Sequence, residues 1–217
     1  MADPAPLARS AVAAVPPVHI AGGWEVSARR SEAALRLADA SPLAKVVLRA
    51  DPVGALAHAL GVAPWRAARD AAARLLVAAA PGEWWLFARP GAAEAVVTAL
   101  ERLADGEPCA IVDVTHGRTL LRLTGPRGVD LLAKVCAVDF HERVTPNGAA
   151  FRSSVAKVVT DVVRDDLPTR GNGAEPPHER SYLLHCERSV GQYLFDALLD
   201  AGAEFGVEVD GFTGAVA

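Results

Sequence analysis

Read for the alternation of apolar and polar positions, the chain falls into short strands and helices punctuated by Pro and Gly. Apolar runs at Val46–Leu48, 75–79, 83–89, Thr119–Leu123, 151–164 and 181–187 predict strands bounded by turn residues. Helical spacing predicts helices over 52–60, 92–104, 126–135 and 190–201; Val129, Leu131, Leu132 and Val135 mark the core-facing stripe of one of them. Ala34, Leu35, Leu37 and Ala38 predict a further short helix within 31–39. Asp51 is the expected N-cap of the helix that starts at Pro52. Pro81-Gly82 marks a tight hairpin turn.

The pattern repeats. Asp39, Ser41, Pro52, Gly54 and Ala59 recur 74 positions later as Asp113, Thr115, Pro126, Gly128 and Ala133. A shared offset at matched places implies one supersecondary unit used twice. Each half reads βαββα, so the expected fold is α+β, with antiparallel sheets and packed helices around a common interior. The expected organisation is an extended N-terminal arm over 1–30, a first repeat over 31–108, a second over 109–212 and a tail over 213–217. The arm is Ala/Pro-rich and contains Pro16-Pro17. Asp165 to Glu179, nearly empty of large apolar groups, is the expected mobile loop of the second repeat.

At 217 residues and 51% apolar, the chain can bury a core without metals or disulfides. A net charge of −4 with Lys and Arg scattered singly argues against a nucleic-acid surface. No apolar run is long enough to cross a bilayer and no secretory leader is evident, so a cytoplasmic location is expected. Cys109, Cys136 and Cys186 lack C-x-x-C spacing and read as free thiols, and the histidines lack ligand spacing, so no metal is expected. Nucleophile-elbow, P-loop and dinucleotide fingerprints do not occur.

The polar constellation richest in chemistry is Asp113-Val114-Thr115-His116-Gly117-Arg118, where a carboxylate, a hydroxyl, an imidazole and a guanidinium lead into a strand. Asp and Thr two apart also form a turn pair that bonds backbone amides, which gives the segment an equally simple structural role. Asp161 stands inside the apolar run Val158–Val163 and should find donors or have its pKa raised, with Thr160 and Arg164 as expected partners. Were the chain to act alone, Asp113, His116 and Asp161 would be its catalytic candidates, and Thr115, Arg118 and Glu83 its ligand-binding ones. Trp84 and Trp85 are the expected interface anchors.

The segment Asp113-Val-Thr-His-Gly-Arg-Thr-Leu-Leu-Arg-Leu-Thr-Gly125, continuing through Leu132-Ala-Lys-Val-Cys136-Ala-Val-Asp139-Phe-His141, resembles the gamma subunit family of heterotetrameric sarcosine oxidase. Gly82-Glu83-Trp84-Trp85-Leu86 and Phe195 to Phe205 extend the resemblance over roughly residues 39 to 206. It implies a doubled α+β domain like that of the folate-binding glycine-cleavage T-proteins. It also implies a complex that oxidatively demethylates sarcosine using FAD, FMN, NAD and tetrahydrofolate, in which this chain holds no cofactor and supports assembly with the other subunits. One departure bears on that picture, and a partial signature sets one branch of the group aside. T-proteins carry a Gly-Gly turn followed by paired acids, whereas Val155–Val163 lacks the glycines and offers only Asp161. Lys134-Val-Cys136 follows only the first half of the Lys-x-Cys-x-x-Gly signature of the iron–sulfur-maintenance branch. The alternative is a stand-alone enzyme on the same fold, either folate-binding or tailoring another small molecule, with tetrahydrofolate as a possible partner.

Overall fold

The computed structural model describes residues 6–168 and 178–214, so most of the expected mobile loop and the end of the tail lie outside the described residues. The first half contains β1 (Ala8–Arg9), β2 (Val18–Ala21), β3 (Trp24–Ser27), β4 (Leu35–Asp39), β5 (Ala44–Ala50), α1 (Ala55–Leu60), β6 (Arg66–Arg69), β7 (Leu75–Ala80), β8 (Glu83–Ala88) and α2 (Ala93–Ala104). The second contains β9 (Cys109–Asp113), β10 (Arg118–Thr124), α3 (Gly128–Val135), β11 (Ala150–Val155), β12 (Val158–Arg164), β13 (Leu167–Pro168), β14 (His178–Glu179), β15 (Ser181–Glu187), α4 (Gly191–Gly202) and β16 (Val207–Asp210).

Two sheets carry the duplication. Their strand orders are β6-β7-β8-β5-β9 and β11-β12-β15-β10-β4-β16, so the first five positions of each are filled by corresponding strands. The leading strand of each half is exchanged: β4 pairs with β10, and β9 pairs with β5. The exchange requires two crossovers, and the repeated Asp-x-Ser/Thr motif builds both. Asp39 Oδ1 accepts from Ser41 N–H at 3.0 Å, and Ser41 Oγ accepts from Leu120 N–H at 3.1 Å. In the other crossover Asp113 Oδ1 accepts from Thr115 N–H at 2.9 Å, and Thr115 Oγ1 accepts from Lys45 N–H at 3.0 Å. Ala40 N–H and Val114 N–H complete the pair by donating to the Leu120 and Lys45 carbonyls. Pairing of Asp39 with Leu121 but of Asp113 with Val46 makes Leu120 the structural counterpart of Lys45, one residue off the sequence offset.

The layers follow from which face each strand buries. Val46 and Leu48 of β5 pack with Trp84, Leu86, Val96 and Leu100 beneath α1 and α2. Leu121 and Leu123 of β10 pack with Leu131, Leu184, Leu194 and Leu198 beneath α3 and α4. Between the sheets lie Leu43, Val77, Trp85, Phe87, Leu120, Val163 and Leu183. The order is therefore helices, sheet, sheet, helices.

Four expectations are corrected. The run 151–164 is not one strand but the hairpin β11–β12, which turns at Ala156 and Lys157. Residues 35–39 form a strand and not a helix: Leu35 and Leu37 face the α3–α4 layer with Arg36 between them, and this period of two matches the open edge of β10. Asp51 does not cap α1, since its carboxylate accepts from Val53 N–H. The cap residue is Gly54, and Leu56 N–H is taken by Glu107 Oε2 at 2.8 Å. A Cβ on Gly54 would stand 1.9 Å from Glu107 Oε1, which accounts for the glycine. The N-terminal arm folds back as a small sheet of order β1-β3-β2, because Trp24 and Val26 at alternate positions bury against the inter-sheet core.

Ser41→Ala leaves the buried Leu120 N–H without its acceptor and should lower unfolding stability by about 1–3 kcal/mol, read as a shifted urea midpoint. Thr115→Val should act alike at the other crossover. Lys45 is fully buried, with Nζ donating to the Ser41 and Leu43 carbonyls. Burial pushes its pKa down to about 7, against the pull of Asp39 and Asp113 and with help from Arg188. Between that value and the ordinary lysine value the unfolded chain binds more protons, so stability should rise with pH across this window and its cost should be fully present below pH 7. Denaturant titrations at several pH values should show the rise, and Lys45→Met should flatten it.

Candidate functional site

One end of the inter-sheet space opens as a cleft of about 600 Å³. Strand alternation aims its walls. Glu83 and Trp85 share one face of β8, while Trp84 between them points into the helix layer. Arg152, Asp161 and His185 stand opposite one another on the neighbouring strands β11, β12 and β15. Arg118, at the start of β10, completes the floor. Ala110 and Val112 of β9, Val114 just after it, and Val159 supply apolar rim.

The charges pair among themselves. Arg152 donates to Asp161 Oδ1 at 2.7 Å and to Glu83 Oε1 at 2.9 Å. Arg49 donates to Glu83 Oε2 at 2.9 Å, and the Trp85 indole N–H reaches Glu83 Oε1 at 3.3 Å. Arg118 contacts Asp161 at 3.5 Å, pairs with Glu187, lies 5.0 Å over the Trp85 ring and donates from Nε to His185 Nε2 at 3.3 Å. With Nε2 accepting, the proton of His185 belongs on Nδ1, which faces Asp161 Oδ2 at 3.4 Å without the alignment of a hydrogen bond.

These contacts fix the protonation states. Burial pushes the His185 pKa down to about 4; Asp161 opposes the shift and Arg118 reinforces it. The ring is therefore neutral, sealed in edge-to-face packing against Trp85 and Phe87. Burial alone would raise Asp161, yet His185 and Arg152 outweigh it and hold the carboxyl below the usual range. Glu83 is lowered for the same reason, burial being outweighed by Arg152 and Arg49. The site thus presents clamped carboxylates and a neutral buried imidazole, and none of these groups is poised to take a proton from a substrate.

The structure brings Glu83, Arg118 and Asp161 together and leaves the other sequence candidates elsewhere. Asp113 and Thr115 serve the crossover. His116 stacks on Trp24, with centroids 4.8 Å apart. Thr160 donates to Val158 O, and Arg164 pairs with Asp166 and Glu142, so neither partners Asp161 as expected. Trp84 and Trp85 are buried at 4% and 6% exposure, the first ring in the helix-side core and the second in the cleft wall, so neither stands out from the surface as an anchor. Sequence reading missed Arg152 and His185. A lone imidazole inside the apolar run Leu183-Leu184-His185-Cys186 was the available signal for the second.

The sarcosine oxidase gamma subunit family model matches residues 49–204. Sarcosine oxidase subunit gamma of Corynebacterium sp. (strain U-96) is 27% identical over 198 residues, covering 88% of this chain and 90% of that protein. Among solved structures, a chain of heterotetrameric sarcosine oxidase from Corynebacterium sp. U-96, in complex with pyrrole 2-carboxylate, superposes with a TM-score of 0.65. It is 26% identical, and the match covers 82% of this chain and 88% of that one. Glycine cleavage system aminomethyltransferase T from Bartonella henselae shares the fold, with a TM-score of 0.61 at 17% identity over 89% of this chain and 55% of that one. With most of its length matched by one family model, and with a T-protein-like α+β fold, the chain belongs to the sarcosine oxidase gamma subunit family.

Proposed function

We propose that this chain is a non-catalytic gamma-type subunit supporting assembly of a heterotetrameric sarcosine oxidase, the complex oxidatively demethylating sarcosine to glycine with flavin and tetrahydrofolate chemistry. The observation that carries the reading is the family match over residues 49–204, joined to structural likeness over 82% of the chain. The cleft supports it, because its carboxylates and guanidinium groups are engaged with one another. The described residues do not suit a dinucleotide: among them Gly117 is the one glycine in the cleft wall, and none forms a glycine-rich phosphate loop beside it. In this reading FAD, FMN and NAD are carried by the other subunits of the complex. Among the described residues no helix is long and apolar enough to cross a membrane, and a cytoplasmic location is part of this proposal.

A second reading rests on the cleft itself, where Glu83, Arg118, Asp161 and the Trp85 ring could hold tetrahydrofolate. Titration calorimetry of the purified chain tests it, and no heat at high tetrahydrofolate concentration removes it.

Co-expression with the other subunits should yield one co-eluting complex; a stable monomer that ignores them would overturn the proposal. Within that complex Asp161→Asn should leave sarcosine turnover within about twofold, because in this reading the reacting atoms lie on other subunits. A loss of kcat at unchanged assembly would place chemistry in this chain.

A further inference from the structure

The two sheets are built alike except at one edge. The outer side of β4 carries β16, laid parallel, with Val207 opposite Leu35 and Val209 opposite Leu37. In the other sheet β9 holds the corresponding place, with Cys109 and Ile111 where β4 has those leucines. Among the described residues no strand lies on the outer side of β9. Val114 N–H bonds the Lys45 carbonyl, so antiparallel alternation turns the backbone groups of Ala110 and Val112 toward β5. It turns those of Cys109, Ile111 and Asp113 outward. An exposed strand presenting such a row is a template for another strand.

The space beside each edge differs in the same way. Beside β4 the chain that follows β16 brings Phe212 into the inter-sheet core, and a cavity of about 100 Å³ remains along Arg36, Ala38 and Ala40. The counterparts of those three residues, Ala110, Val112 and Val114, line the cleft of about 600 Å³. Part of its rim is apolar, with Val112 49% and Val159 70% exposed beside the outer charges of Arg49 and Glu187.

From this asymmetry we propose that the outer edge of β9 is the seat of an extended segment from another subunit, running parallel to β9 as β16 runs beside β4. A large apolar side chain of that segment enters the cleft beside Trp85, in the role Phe212 plays in the other half. Main-chain hydrogen bonds would supply affinity and the cleft specificity. The proposal rests on the gamma-subunit reading, and its test separates the two.

Hydrogen exchange at single-amide resolution, on the chain alone and on the co-expressed complex, reads the seat directly. The Ile111 and Asp113 amides should slow at least about tenfold on assembly, while the Val112 amide, bonded to β5, is slow in both. Val112→Lys puts a charge on an exposed edge position, so it should keep the melting temperature of the parent chain and weaken assembly at least about tenfold. A complex in which Ile111 and Asp113 exchange as in the free chain overturns the seat, as does full assembly by the folded V112K chain. Self-association of the free chain that V112K abolishes would give the edge to a second copy and overturn the heterologous segment. If the parent chain fails to co-elute at all, the gamma-subunit reading falls and this proposal falls with it.

Discussion

The structure depends on one obligation: each half hands its leading strand to the other half's sheet, and the backbone at the two handovers must still be bonded in a buried place. An unmade buried bond costs as much as a weak core contact contributes, so the crossovers cannot be left to water. Asp-x-Ser/Thr meets the obligation with side chains. The carboxylate closes the turn on the hydroxyl residue's own amide, and the hydroxyl oxygen accepts an amide near the start of a strand from the other half. Because the exchange ties residues some 70 to 80 apart in sequence, neither half has a complete sheet without the other. The family's doubled architecture is thus a single cooperative unit and not two beads.

Symmetry sets the positions and substitution breaks them to different ends. Lys45 and Leu120 occupy equivalent places, both fully buried, yet one carries an ammonium that donates to two carbonyls. Burial of that charge works against the fold at neutral pH, so it is a local inconsistency which the rest of the core has to carry. Arg36 and Ala110 are equivalent as well. In the first half the guanidinium meets Glu179 and Asp210, whereas in the second the small side chain leaves the cleft open.

The repeat was legible because its functionally neutral letters do geometric work: Asp, Ser or Thr, Pro and Gly fall where the chain turns, at positions that periodicity and turn chemistry expose. The strand Ser181–Glu187 and the helices near 93–104, 128–135 and 191–202 were legible from apolar spacing alone. β4 was misread as helix because Leu35 and Leu37 flanked by alanines fit either period, and only the waiting edge of β10 decides. β6 and β9 lack an apolar alternation of their own, being edge strands exposed over much of their length, and β16 alternates over only four residues, so their sequences carry little signal. For the site, Glu83 and Asp161 were visible as acids in apolar surroundings and Arg118 as the end of a polar run. Their meeting was not, because it comes from the cross-strand register of β11, β12 and β15, which no local pattern encodes. His116 misled for the opposite reason: a reactive residue type in a polar run turned out to be a flat surface for Trp24.

The electrostatics of the cleft explain why a fold used by aminomethyltransferases can serve here as a scaffold. A catalytic carboxylate must be able to gain and lose a proton near neutral pH, which requires burial to win over its partners. At Asp161 and Glu83 the balance runs the other way, since His185 and Arg152 hold the first carboxylate ionised and Arg152 and Arg49 the second. The same ion pairs that remove chemistry from the cleft brace its walls, tying β11 and β12 of one sheet to β8 of the other through Arg152. A cleft that is rigid, internally neutralised and rimmed by valines suits an apolar side chain delivered by a neighbouring polypeptide better than a charged metabolite, because the apolar group asks nothing of the floor and frees water on entry.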